Sequence, residues 1–219
     1  MEIFRGLHAF LWMNPTTNNC NTYLIRNGKN ILIDPGHHHL FSHVLDNLSL
    51  LSLSLEDIDL VVVTHGHPDH LEGVRRFAET STFIALGETE FDFIRRVAPH
   101  YGEAVGIPNF EPQILLREGR LEIDDIGLQV ISAPGHSPGS ICLYWPEKKA
   151  LFPGDVIFNG GIGRTDLPGG NGEQLKASIR RLSELDIDYL LPGHGEIIVG
   201  SDQVKANFRG IEDFWFRYI

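Results

Sequence analysis

Cysteine is nearly absent from this chain. Cys20 and Cys142 are the two present, and neither belongs to a CxxC pair. Free thiols in a reducing compartment are therefore expected, with a single disulfide as the alternative. No apolar run approaches the roughly 18 residues needed to span a bilayer. The N-terminal stretch MEIFRGLHAF carries one Arg but neither a long apolar core nor a cleavage site, so it does not read as a signal peptide. A cytoplasmic protein is expected. Positive charge is also short, with 18 Lys+Arg against 29 Asp+Glu and a formal net charge of −11. Such a chain repels nucleic acid and anionic lipid, so neither is expected as a general partner. Linkers and low-complexity runs are missing too. With 42% apolar residues over 219 positions, the chain is expected to form one domain, residues 1–219.

What remains alternates between strand-like and helix-like segments. Residues 1–33 read as short strands, with Asn27-Gly28 as a hairpin turn between TYLIR and ILID. Residues 40–55 carry an apolar face at helical spacing. Asp59 to Thr64 is a continuous apolar strand of the kind buried on both faces. LEGVRRFAET reads as helical, TFIALG as a strand, and 87–101 as a helix ending near Pro99. Residues 102–119 read as loop, with His100 and Tyr101 just before them placed to line a pocket. LEIDD, LQVISA, ICLYW, ALFPG and DYLLPG read as strands. Residues 173–185 set Leu175, Ile179, Leu182 and Leu185 on one helical face. The tail beyond Asp202 repeats that spacing with Phe208, Ile211, Phe214 and Trp215, and should pack on the body or on a partner chain.

Four of these apolar runs end in a short turn carrying a potential metal ligand: VVVTHGH, VISAPGH, ALFPGD and YLLPGH. Polar groups at strand ends are where sites are usually built. The first turn is the densest, with His65, His67, Asp69 and His70 inside six positions. His65 and His67 are two apart, so they can reach one ion from an extended turn. Asp69 and His70 are adjacent and tend to face elsewhere, toward a second ion. Imidazole and carboxylate suit zinc, iron or manganese, and no thiolate lies in any of the four turns. Gly66 and Pro68 set the turn and argue against a regular helix there.

HGHPDH resembles the HxHxDH motif of the metallo-β-lactamase fold superfamily, and the other turns resemble its remaining motifs in order. Asp34 in ILIDPG resembles the aspartate that braces the metal loop without ligating. His136 in APGHSPGS resembles the third histidine, Asp155 in FPGDVIF the bridging carboxylate, and His194 in LPGHGE the last histidine. The resemblance covers nearly the whole chain. It implies an α/β fold, a four-layer αββα sandwich of two mixed sheets. It also implies that His65, His67 and His136 hold one divalent ion and that Asp69, His70 and His194 hold a second. Asp155 would bridge them, and Asp69 and Asp155 would be the catalytic carboxylates. Two zinc or iron ions, or manganese or a mixed pair, are the implied cofactors. The implied chemistry is hydrolysis by metal-bound hydroxide.

Within that superfamily, Asp155 stands where β-lactamases usually place a cysteine. His67 differs from the Glu of flavodiiron proteins, and Phe158 lies near the tyrosine position of quorum-quenching lactonases. The stretch 160–170, GGIGRTDLPGG, resembles the glyoxalase II and persulfide dioxygenase branch, which has a Gly-x-Gly-basic turn. Arg164 matches the basic residue that helps hold glutathione in glyoxalase II, which implies a substrate contact. The alternative is an internal pair with Asp166 or another acid. Only residues 195–219 follow His194, too few for the C-terminal helical domain of glyoxalase II. The reading is thus a hydrolase of a small thioester or related acyl substrate, as a monomer or homo-oligomer. A mononuclear non-haem iron persulfide dioxygenase, which GRTD also resembles, is the alternative; a metal-binding protein without turnover is a weaker one. His37, His38, His39 and His43 form a second, internal histidine cluster, read as surface or loop residues because a run does not guarantee converging geometry.

Overall fold

A computed structural model describes residues 1–101 and 111–219, with side chains described through residue 97 and from residue 111 onward. His100, Tyr101 and most of the stretch read as a loop therefore lie outside the described side chains or residues. The chain divides into two compact units, Met1–Leu116 with Ile123–Ile126, and Arg117–Glu122 with Gly127–Ile219.

Unit one is built on a seven-stranded sheet in sequential order. Its strands are β1 (Glu2–Phe4), β2 (Leu7–Phe10), β3 (Thr22–Asn27), β4 (Lys29–Ile33), β5 (Leu60–Val63), β6 (Phe83–Gly87) and β7 (Ile114–Leu116). The first four pair antiparallel, and β4 through β7 pair parallel. The β3–β4 hairpin closes at Gly28, whose φ of 80° is the left-handed conformation that the Asn-Gly pair favours. Every residue of β5 is buried, as its unbroken apolar run requires. Helices α1 (Ser42–Leu50), α2 (Pro68–Leu71) and α3 (Glu88–Tyr101) accompany this sheet. Phe41, Val44, Leu48, Phe77, Phe91 and Ile94 pack with Leu24, Leu32, Val61, Val63 and Leu86 into its core.

Three expectations change here. Pro68 does not prevent a helix. It begins the one-turn α2, because the first helical position needs no N–H and suits proline's fixed φ. The segment read as one helix from Leu71 is instead a 3₁₀ run, Glu72–Phe77. Within the expected loop 102–119, Ile114–Leu116 forms the strand β7, and α3 continues through Pro99 to Tyr101.

Unit two is built on a six-stranded sheet ordered β13-β12-β11-β10-β9-β8. Its strands are β8 (Gly119–Ile123), β9 (Ile126–Ser132), β10 (Ile141–Trp145), β11 (Ala150–Phe152), β12 (Tyr189–Leu190) and β13 (Ile198–Val199). Strands β11 and β12 are parallel, while β9–β10, β10–β11 and β12–β13 are antiparallel. Helices α4 (Gly172–Ser183) and α5 (Ser201–Phe214) complete the unit. The Asn171 side chain accepts the Gln174 N–H at 3.0 Å and starts α4. Leu175, Ile179 and Leu182 are buried against sheet residues such as Ile131, Leu151 and Leu190. Each such side chain is worth about 1.5–3 kcal/mol when fully buried. The tail packs on the same core through Val204, Phe208 and Ile211, while Phe214 is half-exposed. Cys20 and Cys142 are both buried, and burial pushes the Cys142 thiol well above its usual range. Among the described residues, no helix is long and apolar enough to cross a membrane.

Candidate metal centre

In unit one the donor-bearing turn follows directly from β5. Asp34, at the end of β4, holds it. Its Oδ1 accepts the Thr64 backbone N–H at 2.8 Å, and its Oδ2 accepts the Thr64 hydroxyl at 2.8 Å and His70 Nδ1 at 2.9 Å. The single hydroxyl proton of Thr64 is spent on Asp34, so its oxygen accepts His65 Nδ1–H at 3.1 Å. Both His65 and His70 thus carry their proton on Nδ1 and keep the Nε2 lone pair for another partner. His65 Nε2 lies 3.0 Å from His67 Nδ1. Two imidazole nitrogens this close share a proton or a cation, which fits one ion between them. His67 is extended, at φ −69° and ψ 146°, and Pro68 then starts α2, so Asp69 and His70 fall on a separate turn. Asp69 Oδ2 accepts Asn18 Nδ2–H at 2.6 Å. The Gly66 N–H is donated to the buried Glu90 of α3 at 2.8 Å. A Cβ at Gly66 would stand 2.5 Å from Ile94 Cδ1, so the loop lies this close to α3 only with glycine.

Unit two carries three donors of its own, His136, Asp155 and His194. His136 donates Nδ1–H to the Arg164 carbonyl at 2.8 Å. Asp155 Oδ2 lies 3.6 Å from His136 Nε2 and 3.3 Å from His194 Nε2. A carboxylate oxygen at these distances from two imidazole nitrogens is suited to sharing a proton or a cation with them. The donor set is nitrogen and oxygen, as zinc, iron and manganese accept. Asp155 and Arg164 flank a small reversal in which Ile157 bridges Ile162. Gly163 closes it: a Cβ there would fall 1.8 Å from the Asp155 carbonyl oxygen and 3.0 Å from His136 Cγ. The glycine of the Gly-basic pair is thus what lets the loop press on two donors at once. Asn207 of α5 accepts the Gly160 N–H at 2.8 Å and donates to the Phe158 carbonyl at 2.9 Å. Trp215 Nε1–H reaches the Gly160 carbonyl at 2.9 Å. The Arg164 guanidinium forms a bidentate pair with Asp166, Nε–Oδ1 and Nη2–Oδ2 both 2.7 Å, on exposed side chains. That guanidinium holds the Asp166 carboxyl down at about 2.

Residues 15–194 match the family profile of the Metallo-beta-lactamase superfamily. The chain belongs to this superfamily. A probable metallo-hydrolase of Methanocaldococcus jannaschii is 37% identical over 188 residues, covering 81% of this chain and 88% of the relative. The hydroxyacylglutathione hydrolase GloC of Haemophilus influenzae is 33% identical over 184 residues, covering 80% and 84%. Among solved structures, a metallo-beta-lactamase family protein from Thermus thermophilus shares the fold at a TM-score of 0.80 with 22% identity, over 96% of this chain and 79% of that one. The protein TTHA1623, solved in a di-iron-bound form, matches at a TM-score of 0.70 with 30% identity, over 85% and 92%. The two mixed sheets are those of the metallo-β-lactamase fold, and the chain is a metallo-hydrolase of that superfamily.

The structure brings His65 to His67 and His70 to Asp34 within unit one, and His136 and His194 to Asp155 within unit two. Arg164 sits beside this second group through its carbonyl, with its guanidinium turned to Asp166. Thr64, Asn18, Glu90 and Asn207 escaped the sequence reading. Thr64 had a signal, its place next to His65 at a strand end. Asn18 and Asn207 had none, because their partners are 51 and 49 positions away.

Proposed function

We propose that this metallo-hydrolase cleaves a thioester or related acyl bond. His65, His67 and His136 would hold one divalent ion, Asp69, His70 and His194 a second, with Asp155 bridging. The observation that carries the reading is Asp155 Oδ2 standing near one imidazole of each proposed set, 3.6 Å from His136 and 3.3 Å from His194. The paired nitrogens of His65 and His67 and the di-iron form of a 30% identical protein support it. The thioester assignment is supported by the 33% identity to a hydroxyacylglutathione hydrolase.

When bound, the ions lower the pKa of water and polarise an acyl carbonyl. The chain's own residues do the rest. Asp34, Thr64 and the Arg164 carbonyl fix the tautomers that aim Nε2 of His65, His70 and His136. Asn18 holds Asp69 through a donor that does not titrate. Asp69 and Asp155 would be the carboxylates that receive the proton of the attacking water. Arg164 is proposed as a contact for an anionic substrate, which must compete with Asp166 for the guanidinium.

The test is metal analysis plus thioester cleavage on protein purified without added metal. Metal-dependent cleavage is expected, and His136→Ala should lose at least about 100-fold in kcat/KM with its circular dichroism unchanged. About one Fe per chain with O₂ uptake on a persulfide would replace this reading with the dioxygenase one. Near-normal turnover by the variant would remove His136 from the centre.

A further inference from the structure

Part of the second histidine cluster is held in place by the fold. His37 is extended, at φ −67° and ψ 141°, and leads into the 3₁₀ turn His38–Leu40. The His37 and His39 rings stand 4.9 Å apart between centroids. Glu72, immediately after α2, reaches this turn from 35 positions away: its Oε2 lies 2.9 Å from His37 Nδ1 and accepts the His38 backbone N–H at 3.3 Å. One potential ligand atom from each of His37, His39 and Glu72 falls within 4.8 Å of the others. The backbone beneath is pinned on both sides. The His37 N–H is donated to Asn19 Oδ1 at 2.8 Å, and the Gly73 N–H to the Gly36 carbonyl at 2.7 Å. Convergence is therefore built by the tertiary structure rather than left to a flexible run.

We propose that His37, His39 and Glu72 form a binding site for one divalent transition-metal ion, separate from the seven-residue set above. Two imidazoles and one carboxylate suit zinc, copper or nickel rather than magnesium or calcium, which take all-oxygen sets. The cation replaces the proton shared by His37 Nδ1 and Glu72 Oε2, and solvent completes its coordination because His39 is exposed. An open three-ligand site of this kind exchanges its ion with solution. Occupancy ties the 36–39 turn to the residue two positions beyond His70, at the end of the turn that carries Asp69 and His70.

The test uses the untagged full-length protein and zinc alone as the probe. Wild type, His39→Ala, Glu72→Gln and His136→Ala are dialysed to equilibrium against a series of buffered free zinc concentrations, and bound zinc per chain is counted. Wild type should bind one more zinc than His39→Ala, or bind that ion at least about tenfold more tightly. Glu72→Gln should show the same loss, and His136→Ala should keep this ion. Because His39 is exposed and packs on the His37 ring, His39→Ala is expected to fold normally, and its circular dichroism checks this. Identical zinc isotherms for wild type and His39→Ala would overturn the site. So would zinc loss confined to His136→Ala, which assigns all bound zinc to the other donors. The difference between wild type and His39→Ala reads this site whatever the thioester assay shows.

Discussion

Asp34 organises the donor-bearing turn of unit one from a strained position. It is 2% exposed and adopts φ 54°, a left-handed conformation that costs a non-glycine residue about 1–3 kcal/mol. The strain persists because its carboxylate pairs with the Thr64 N–H, the Thr64 hydroxyl and His70 at once. Asp34→Ala should therefore weaken metal affinity about 10–100-fold, read by competition with a chromophoric chelator. It should also cost about 1–3 kcal/mol in urea unfolding, because the buried Thr64 N–H is left unpaired. Unchanged chelator competition would mean that His65 and His70 need no bracing. The Arg164–Asp166 pair gives a second residue-scale outcome. Asp166→Ala frees the guanidinium, so KM for an anionic thioester should fall with kcat unchanged. A KM that does not move takes Arg164 out of the substrate site. The depressed Asp166 carboxyl makes the bridge present above its folded value and lost as pH falls through about 2, so the comparison holds across the neutral range.

At the scale of elements, strand ends and Gly-rich turns carry the donors, and helices set the turns. The four apolar runs ending in His or Asp were legible because residue type and turn chemistry are local. The one-turn α2 was misread because Pro68 forbids a helix interior but favours a helix start. Strands β7 and β13 were missed although they are no shorter than β11 and β12 respectively, which were legible because a Pro-Gly turn follows each of them. Helix α5 was legible from its apolar spacing, but its service to the loop at 158–160 was not. Asn207→Ala removes two hydrogen bonds from that loop while leaving the core face of α5 intact. The loop leads into Gly163 and Arg164, whose contacts set His136. A displacement of about 1 Å there should lower kcat/KM by roughly 10–100-fold. Steady-state kinetics with a matched circular dichroism spectrum would check this, and wild-type kinetics would confine α5 to packing.

At the scale of the whole molecule, the negative net charge sits beside a donor set that asks for cations. Ions bound to the folded state but not to the unfolded chain stabilise it by mass action, about 2.7 kcal/mol at 100 times Kd. For a chain of this size that corresponds to a fall in Tm of roughly 5–10 °C on chelation. Differential scanning calorimetry before and after dialysis against EDTA, with zinc or iron restored afterwards, measures it; a chelation-insensitive Tm would mean that the donors are held by the protein alone.

The amino-acid sequence by itself determined the fold class and the order of the donor-bearing turns along the chain, because a motif needs only residue type and short spacing. Tertiary structure alone decided how their side chains are aimed. The Asn18–Asp69, Glu90–Gly66 and Asn207–Phe158 hydrogen bonds join residues 51, 24 and 49 positions apart, and no local pattern encodes such pairs. The same holds for Glu72, which turns a run of histidines into a three-donor cluster only because folding places it beside His37.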